Sequence, residues 1–283
     1  MVRCSDESII ICGIVRDAER GLTRNIPIIN ELCGCFKDYR VVVYENDSKD
    51  ATKKLLRQWK SRDEQRIHIC IEDTDSSSTI PDAGSVNANP FFCKKRITKM
   101  ANLRNQYMAY IDAQKWDADY LIVVDLDVAR LDLDAILSSF KNGAEWDAVT
   151  AFGYSLSPKM RLRYHDTYAL TRWGDENNPQ TEEKIKRLAD DFGRLKTSDE
   201  WVRVYSAFGG LAIYKFEAVK GLRYQALPND DSRVEMKCEH FSIYKQMQER
   251  GYDKFYVNPQ MKLKYQALTF KIVFNSLKRK FIN

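Results

Sequence analysis

Along the first half of the chain, short apolar runs closed by polar turns alternate with segments whose apolar positions recur every three or four residues. Ile9-Ile10-Ile11-Cys12-Gly13-Ile14-Val15 reads as a buried strand that ends in Arg16-Asp17-Ala18-Glu19-Arg20-Gly21. Residues 22–36 carry helical spacing. Arg40-Val41-Val42-Val43-Tyr44 is a second strand, closed by Glu45-Asn46-Asp47-Ser48-Lys49-Asp50. A helix over 52–59 and a strand over 67–71 follow. Strands that are apolar throughout and joined by helices predict a parallel sheet covered on both faces. Residues 72–90, rich in Ser, Asp and Pro, read as a long loop, and loops of that length in a compact domain are often functional. A helix over 97–114 leads to the strand Tyr120-Leu121-Ile122-Val123-Val124, with Asp125-Leu126-Asp127 at its carboxyl end. A helix over 131–140 and a strand over 147–151 complete this series.

From Tyr154 to Tyr205 the pattern becomes polar, charged and aromatic, with helical spacing only over 182–192. It reads as an insertion or lid rather than more sheet. Ala207 to Tyr214 returns to strand character after a glycine turn. A helix over 240–250 ends at Gly251, a favoured cap residue, and a short strand covers 254–257. Near the C-terminus, Phe270, Val273, Phe274, Leu277 and Phe281 mark one apolar helical face. Lys271, Lys278, Arg279 and Lys280 surround it. A basic amphipathic helix of this kind can lie in an anionic membrane surface. The same face would also serve packing on the domain or on a second subunit.

Composition narrows the function classes. The chain has 283 residues, 44% hydrophobic and 30% charged, which is an ordinary globular make-up. Its net charge of +5, from 45 basic and 40 acidic residues, is too balanced to argue for nucleic acid. The seven cysteines include no Cys-x-x-Cys pair, so zinc-ribbon and dithiol readings have no support and free thiols are expected. Residues 1–8 lack a signal-peptide pattern, and no apolar run reaches the ~18 residues of a membrane span. The expectation is a cytoplasmic protein, peripheral at a membrane surface if the C-terminal segment engages one.

Ligands of open α/β sheets bind outside the carboxyl ends of the strands. Three such ends are polar here: Arg16-Asp17, Glu45-Asn46-Asp47 and Asp125-Leu126-Asp127. In extended chain, residues i and i+2 point to the same side, so Asp125 and Asp127 can face one cation. Hard oxygen ligands suit Mg²⁺ or Mn²⁺ shared with substrate phosphates, and a metal there would stabilise a diphosphate leaving group. A solvated strand end or a helix cap would carry the same residues.

This order of elements resembles the GT-A glycosyltransferases over roughly residues 8 to 262. Val43-Tyr44-Glu45-Asn46-Asp47-Ser48-Lys49-Asp50-Ala51-Thr52, the pair Arg104-Asn105, Tyr164-His165-Asp166-Thr167-Tyr168-Ala169-Leu170 and Phe208-Gly209-Gly210-Leu211-Ala212 together resemble the fungal capsule-associated α-1,3-mannosyltransferase family and its bacterial and viral relatives. The resemblance implies a single GT-A-like α/β domain. A nucleotide-sugar half would cover 1–130 and an acceptor half 131–262, with an insertion at about 154–205 and a basic tail at 263–283. It implies a hexosyltransferase dependent on Mn²⁺ or Mg²⁺. The donor would be a nucleotide-diphosphate sugar, GDP-mannose first and a UDP-hexose next, and the acceptor a glycan or a lipid-linked glycan.

Roles follow from the same resemblance. Glu239-His240 stands where many inverting members start a helix with Glu-Asp, the Asp being the base. With His240 in that place, the pair supplies a base, or His240 completes the metal's coordination. Glu45 or Asp47 would face the base or ribose, although Asn-Asp-Ser is also good turn chemistry. Val15 and Arg16, with Arg104, would meet the diphosphate, since guanidinium matches phosphate in a bidentate way. Asp166 would hold an acceptor hydroxyl. Lys94-Lys95-Arg96 and Lys99 form either a phosphate-attracting cluster or a solvated face. Trp173 and Trp201 are sugar-stacking surfaces or buried anchors. Two other readings remain open: a haloacid-dehalogenase-like phosphatase, in which Asp125 would be a nucleophile, and a non-catalytic module that binds a glycan or nucleotide.

Overall fold

A computed structural model describes residues 4–73, 89–141, 143, 145–156 and 162–266. The chain opens with β1 (Cys4–Val15), α1 (Glu19–Cys33), β2 (Phe36–Asn46), α2 (Thr52–Lys60) and β3 (Ile67–Glu72). Next come α3 (Lys94–Ala113), β4 (Tyr120–Val124), α4 (Leu133–Lys141) and β5 (Ala148–Leu156). The second half contains β6 (Leu162–Tyr164), β7 (Thr171–Arg172), α5 (Glu182–Phe192), β8 (Val202–Ser206), β9 (Leu211–Lys215), α6 (Phe216–Val219), α7 (Glu239–Glu249) and β10 (Phe255–Lys264).

The strands form one sheet in the order β3-β2-β1-β4-β9-β5-β10-β8-β7, with β6 beside β5. As expected, β1 is parallel to both β2 and β4, and β2 to β3. Alternate residues of each central strand enter different cores. Ile10, Cys12, Val42, Leu121 and Val123 pack with α3, α5, α6 and α7. Ile9, Ile11, Val41, Val43, Ile122 and Val124 pack with α1, α2 and α4. Two covered faces explain why these strands read as unbroken apolar runs instead of alternating ones.

The second half departs from the parallel expectation. β9 lies antiparallel between β4 and β5. As expected, the strand β9 follows a glycine turn, in which Gly209 (φ 63°) and Gly210 (φ 89°) reverse the chain after β8. A Cβ on Gly209 would come within 2.2 Å of the Ala151 carbonyl oxygen, so the turn needs glycine for space as well as for φ. The stretch expected to be an insertion outside the sheet supplies three strands to it. β8 pairs with β10, and β6 and β7 extend the rim. These strands are short and lie toward the edges, where polar side chains face outward and periodicity is weak. Trp173 carries the Arg203 guanidinium over its ring at 3.7 Å, and Trp201 packs near Tyr256.

Among the described residues no helix is long and apolar enough to cross a membrane. The apolar basic face at 268–281 and most of the 72–90 loop lie outside the described residues.

Candidate active site

The strand ends β1 and β4 open into a cleft of about 430 Å³. The acidic turn after β4 forms part of its wall, and α1 supports that turn from behind. Buried Asn25 donates from Nδ2 to the carbonyls of Leu126 (3.0 Å) and Val128 (2.8 Å), and its Oδ1 accepts from the Leu131 amide (3.2 Å). One asparagine thereby satisfies three polar groups of a turn that has left the sheet. Gly21 touches the same turn so closely that a Cβ would lie 2.5 Å from Asp127 Cα. On the other side the Asp125 amide donates to Gly210 O at 2.9 Å. Asp125 is half-buried and Asp127 is exposed at the rim; both line the cleft.

Arg104, on α3, is 4% exposed. Its Nε donates to Glu239 Oε1 at 3.0 Å, and its Nη2 lies 3.6 Å from Asp125 Oδ1. The guanidinium carbon sits 5.0 Å from the centre of the Phe208 ring. This arginine was expected to grip a diphosphate. It lines the cleft and joins the carboxylates of two distant elements, and its buried Nη1 has no hydrogen-bond partner among the described residues. Glu239 begins α7, and His240 follows it into the interior. The His240 ring stacks on Phe208 at 3.9 Å and 17°, with Nε2 3.9 Å from Glu239 Oε1. Burial, reinforced by the Arg104 charge, pushes the His240 pKa well down, so the ring is neutral.

Asp166 occupies the left-handed region (φ 59°), which Asp tolerates better than most residues. Burial and the charges of Asp125 and Glu239 raise its pKa to about 8. Burial raises Asp125 to about 6, with Asp127 adding to the rise and Arg104 opposing it. Tyr265, just beyond β10, donates its hydroxyl to Asp125 Oδ2 at 2.9 Å. Sequence reasoning missed Tyr265, because a lone tyrosine beyond a strand carries no pattern.

The cleft also gathers Val15, Arg16, Asn46, Arg96 and Lys99. Arg16 stands between β1 and a tightly tied turn, in which Asp17 N donates to Ser48 Oγ and Lys49 N to Asp17 Oδ1. Arg96 and Lys99 project from the first turns of α3, so part of the basic cluster faces the cleft. Glu45 and Asp47 do not line it. Glu45 is fully buried and accepts the Ser48 amide at 2.7 Å, closing the turn after β2, while Asn46 between them reaches the cleft. Trp173 and Trp201 lie away from it as well.

Among the described residues no three His, Cys, Asp or Glu side chains converge tightly enough to hold a metal alone. Asp125, Asp127 and His240 therefore do not form a ready-made trio, since His240 is turned inward against Phe208. The donor set still suits Mg²⁺ or Mn²⁺, which are commonly held by one or two carboxylates together with substrate phosphates. Burial is the main cause of the raised pKa values of Asp125 and Asp166, and neighbouring carboxylates add to it, a repulsion that a divalent cation would relieve.

Comparison with solved structures finds a mannosyltransferase from Pyrobaculum calidifontis, determined with GDP-Man and Mn²⁺. It has a TM-score of 0.47 and 12% identity, over 98% of this chain and 65% of that one, so this chain spans under two thirds of its length. Glucosyl-3-phosphoglycerate synthase from Mycobacterium tuberculosis, with Mn²⁺, UDP and phosphoglyceric acid, has a TM-score of 0.47 and 10% identity over 97% and 78%. S. aureus TarS has a TM-score of 0.47 and 10% identity over 97% and 39%. No curated protein matches in sequence. The profile of the family described as Cryptococcal mannosyltransferase 1 matches residues 9–245, a span that holds Asp125, Asp127, Asp166 and Glu239. The chain belongs to that family.

Proposed function

We propose that this chain transfers a hexose, mannose by the family's description, from a nucleoside-diphosphate sugar to a hydroxyl of a glycan or lipid-linked acceptor. The observation that carries the reading is the meeting, in one cleft, of the Asp125–Asp127 pair with Asp166 and Glu239 on one side and Arg16, Arg96 and Lys99 on the other. Asp125 and Asp127 would hold Mn²⁺ or Mg²⁺. When bound, the ion neutralises charge on the departing diphosphate. Arg16, Arg96 and Lys99 draw the donor phosphates in through their positive charge. Asp166 and Glu239 orient the acceptor hydroxyl. Its oxygen bonds to the anomeric carbon as the bond from that carbon to the diphosphate breaks. The hydroxyl proton passes to one of these carboxylates.

A thermal-shift panel of GDP, UDP, CMP and dTDP, each with and without Mn²⁺, tests the donor. GDP with Mn²⁺ should raise the melting temperature by roughly 5–10 °C at about a hundred times its Kd, since a ligand specific to the folded state adds to its stability. The other nucleotides, and either component alone, should do less. No shift with any nucleotide would remove the transferase reading of this cleft.

The basic, apolar-faced segment at 268–281 is proposed to bring the enzyme to an anionic membrane surface carrying its acceptor. Flotation with anionic liposomes should lift the full chain and leave behind a chain ending at Gln266. Equal flotation of the two would rule the contact out.

A further inference from the structure

Tyr265 is fixed by contacts on its backbone, its ring and its hydroxyl. Its amide donates to Tyr154 O at 2.9 Å, and its carbonyl accepts from Ala129 N at 3.1 Å. One residue earlier, Lys264 and Arg130 exchange both backbone hydrogen bonds, at 3.1 and 3.2 Å. The strand end is thus bolted to the segment that leaves the acidic turn. The ring stacks on His165 at 3.8 Å and 23°. Its edge faces Gly210, where a Cβ would come within 3.0 Å of Cε2. The hydroxyl ends 2.9 Å from Asp125 Oδ2, while Asp125 Oδ1 faces Arg104 Nη2 at 3.6 Å.

A hydrogen bond from Tyr265 and the nearby charge of Arg104 therefore hold one carboxylate from its two oxygens. We infer that Tyr265 is a positioning residue: its hydroxyl presets the Asp125 carboxylate for a divalent cation. A carboxylate that keeps its orientation before the ion arrives loses less freedom on binding, and partners that orient a ligand in this way are commonly worth 10–100-fold in metal affinity. The inference rests on the reading of Asp125 and Asp127 as the cation's ligands.

Binding of Mn²⁺ alone to the full chain, followed by the electron paramagnetic resonance signal of the free ion, tests it. Tyr265→Phe removes the hydroxyl and keeps the ring on His165. It should weaken Mn²⁺ binding by about 10-fold or more, with an unchanged thermal transition. Tyr265→Leu also removes the stack. It should bind Mn²⁺ as weakly as the Phe variant and melt earlier. Wild-type Mn²⁺ affinity in Tyr265→Phe would overturn the inference and leave the cation reading standing. A parent chain that binds no Mn²⁺, or whose affinity survives Asp127→Ala, would overturn the cation reading and this inference together.

Discussion

Asp127→Ala should abolish Mn²⁺-dependent binding of the nucleotide-sugar and reduce transfer by at least about 10³-fold, while the protein stays folded. Loss of a metal's charge at a leaving diphosphate removes several kcal/mol of transition-state stabilisation, and each 1.4 kcal/mol is a factor of ten in rate. The fold should not notice. The Asp127 side chain is exposed, and the close contacts of this turn with α1 are made by its backbone against Gly21 and Asn25. An exposed substitution of this kind typically changes stability by no more than about 0.5 kcal/mol. Transfer assays over a Mn²⁺ series, together with circular dichroism melts, separate the two effects. Full activity in the variant would sink the central claim.

Arg104→Leu should strike both stability and activity. The guanidinium is buried and lies against Glu239 and Asp125 at 3.0 and 3.6 Å. Removing one member of a buried ion pair leaves uncompensated charge behind and costs about 3–5 kcal/mol. In a chain of this size that corresponds to a melting temperature lower by roughly 10 °C. Replacing Glu239 as well, in Arg104→Leu/Glu239→Leu, should return much of the stability, because the stranded charge goes with it. Turnover should remain low in the double variant, on the order of 10² below the parent, since Glu239 is proposed to orient the acceptor hydroxyl. Urea unfolding of the two single variants and the double variant closes the cycle. Additive losses would show that the two side chains do not act as a pair.

The local features of this protein were readable from consecutive residues. β1, β2 and β4 announce themselves as unbroken apolar runs because both sides of each strand are buried, in two separate cores. The Asp-Leu-Asp turn is visible because it stands at the carboxyl end of such a run, where ligands of open α/β sheets bind. The order of motifs pointed to the family that the profile match then showed. What stayed hidden was short or mixed in character. β6, β7 and β8 are elements of two to five residues inside a polar stretch, too brief for a period to emerge. The antiparallel placement of β9 leaves no mark on its own apolar sequence.

The sequence by itself determined the central strands and their flanking helices and placed an acidic pair at the end of one strand, because side-chain periodicity and strand-end chemistry act between neighbours in the chain. Tertiary structure alone decided the company each side chain keeps. It brought Arg104 to Glu239 across 135 positions and Tyr265 to Asp125 across 140. It turned Glu45 into a turn-closing group and handed its place on the cleft to Asn46. It also stacked His240 on Phe208 instead of setting it beside the acidic pair as a third ligand. Such pairings depend on burial and on charge compensation in a low-dielectric interior, and these are properties of a place in space rather than of a position in the chain.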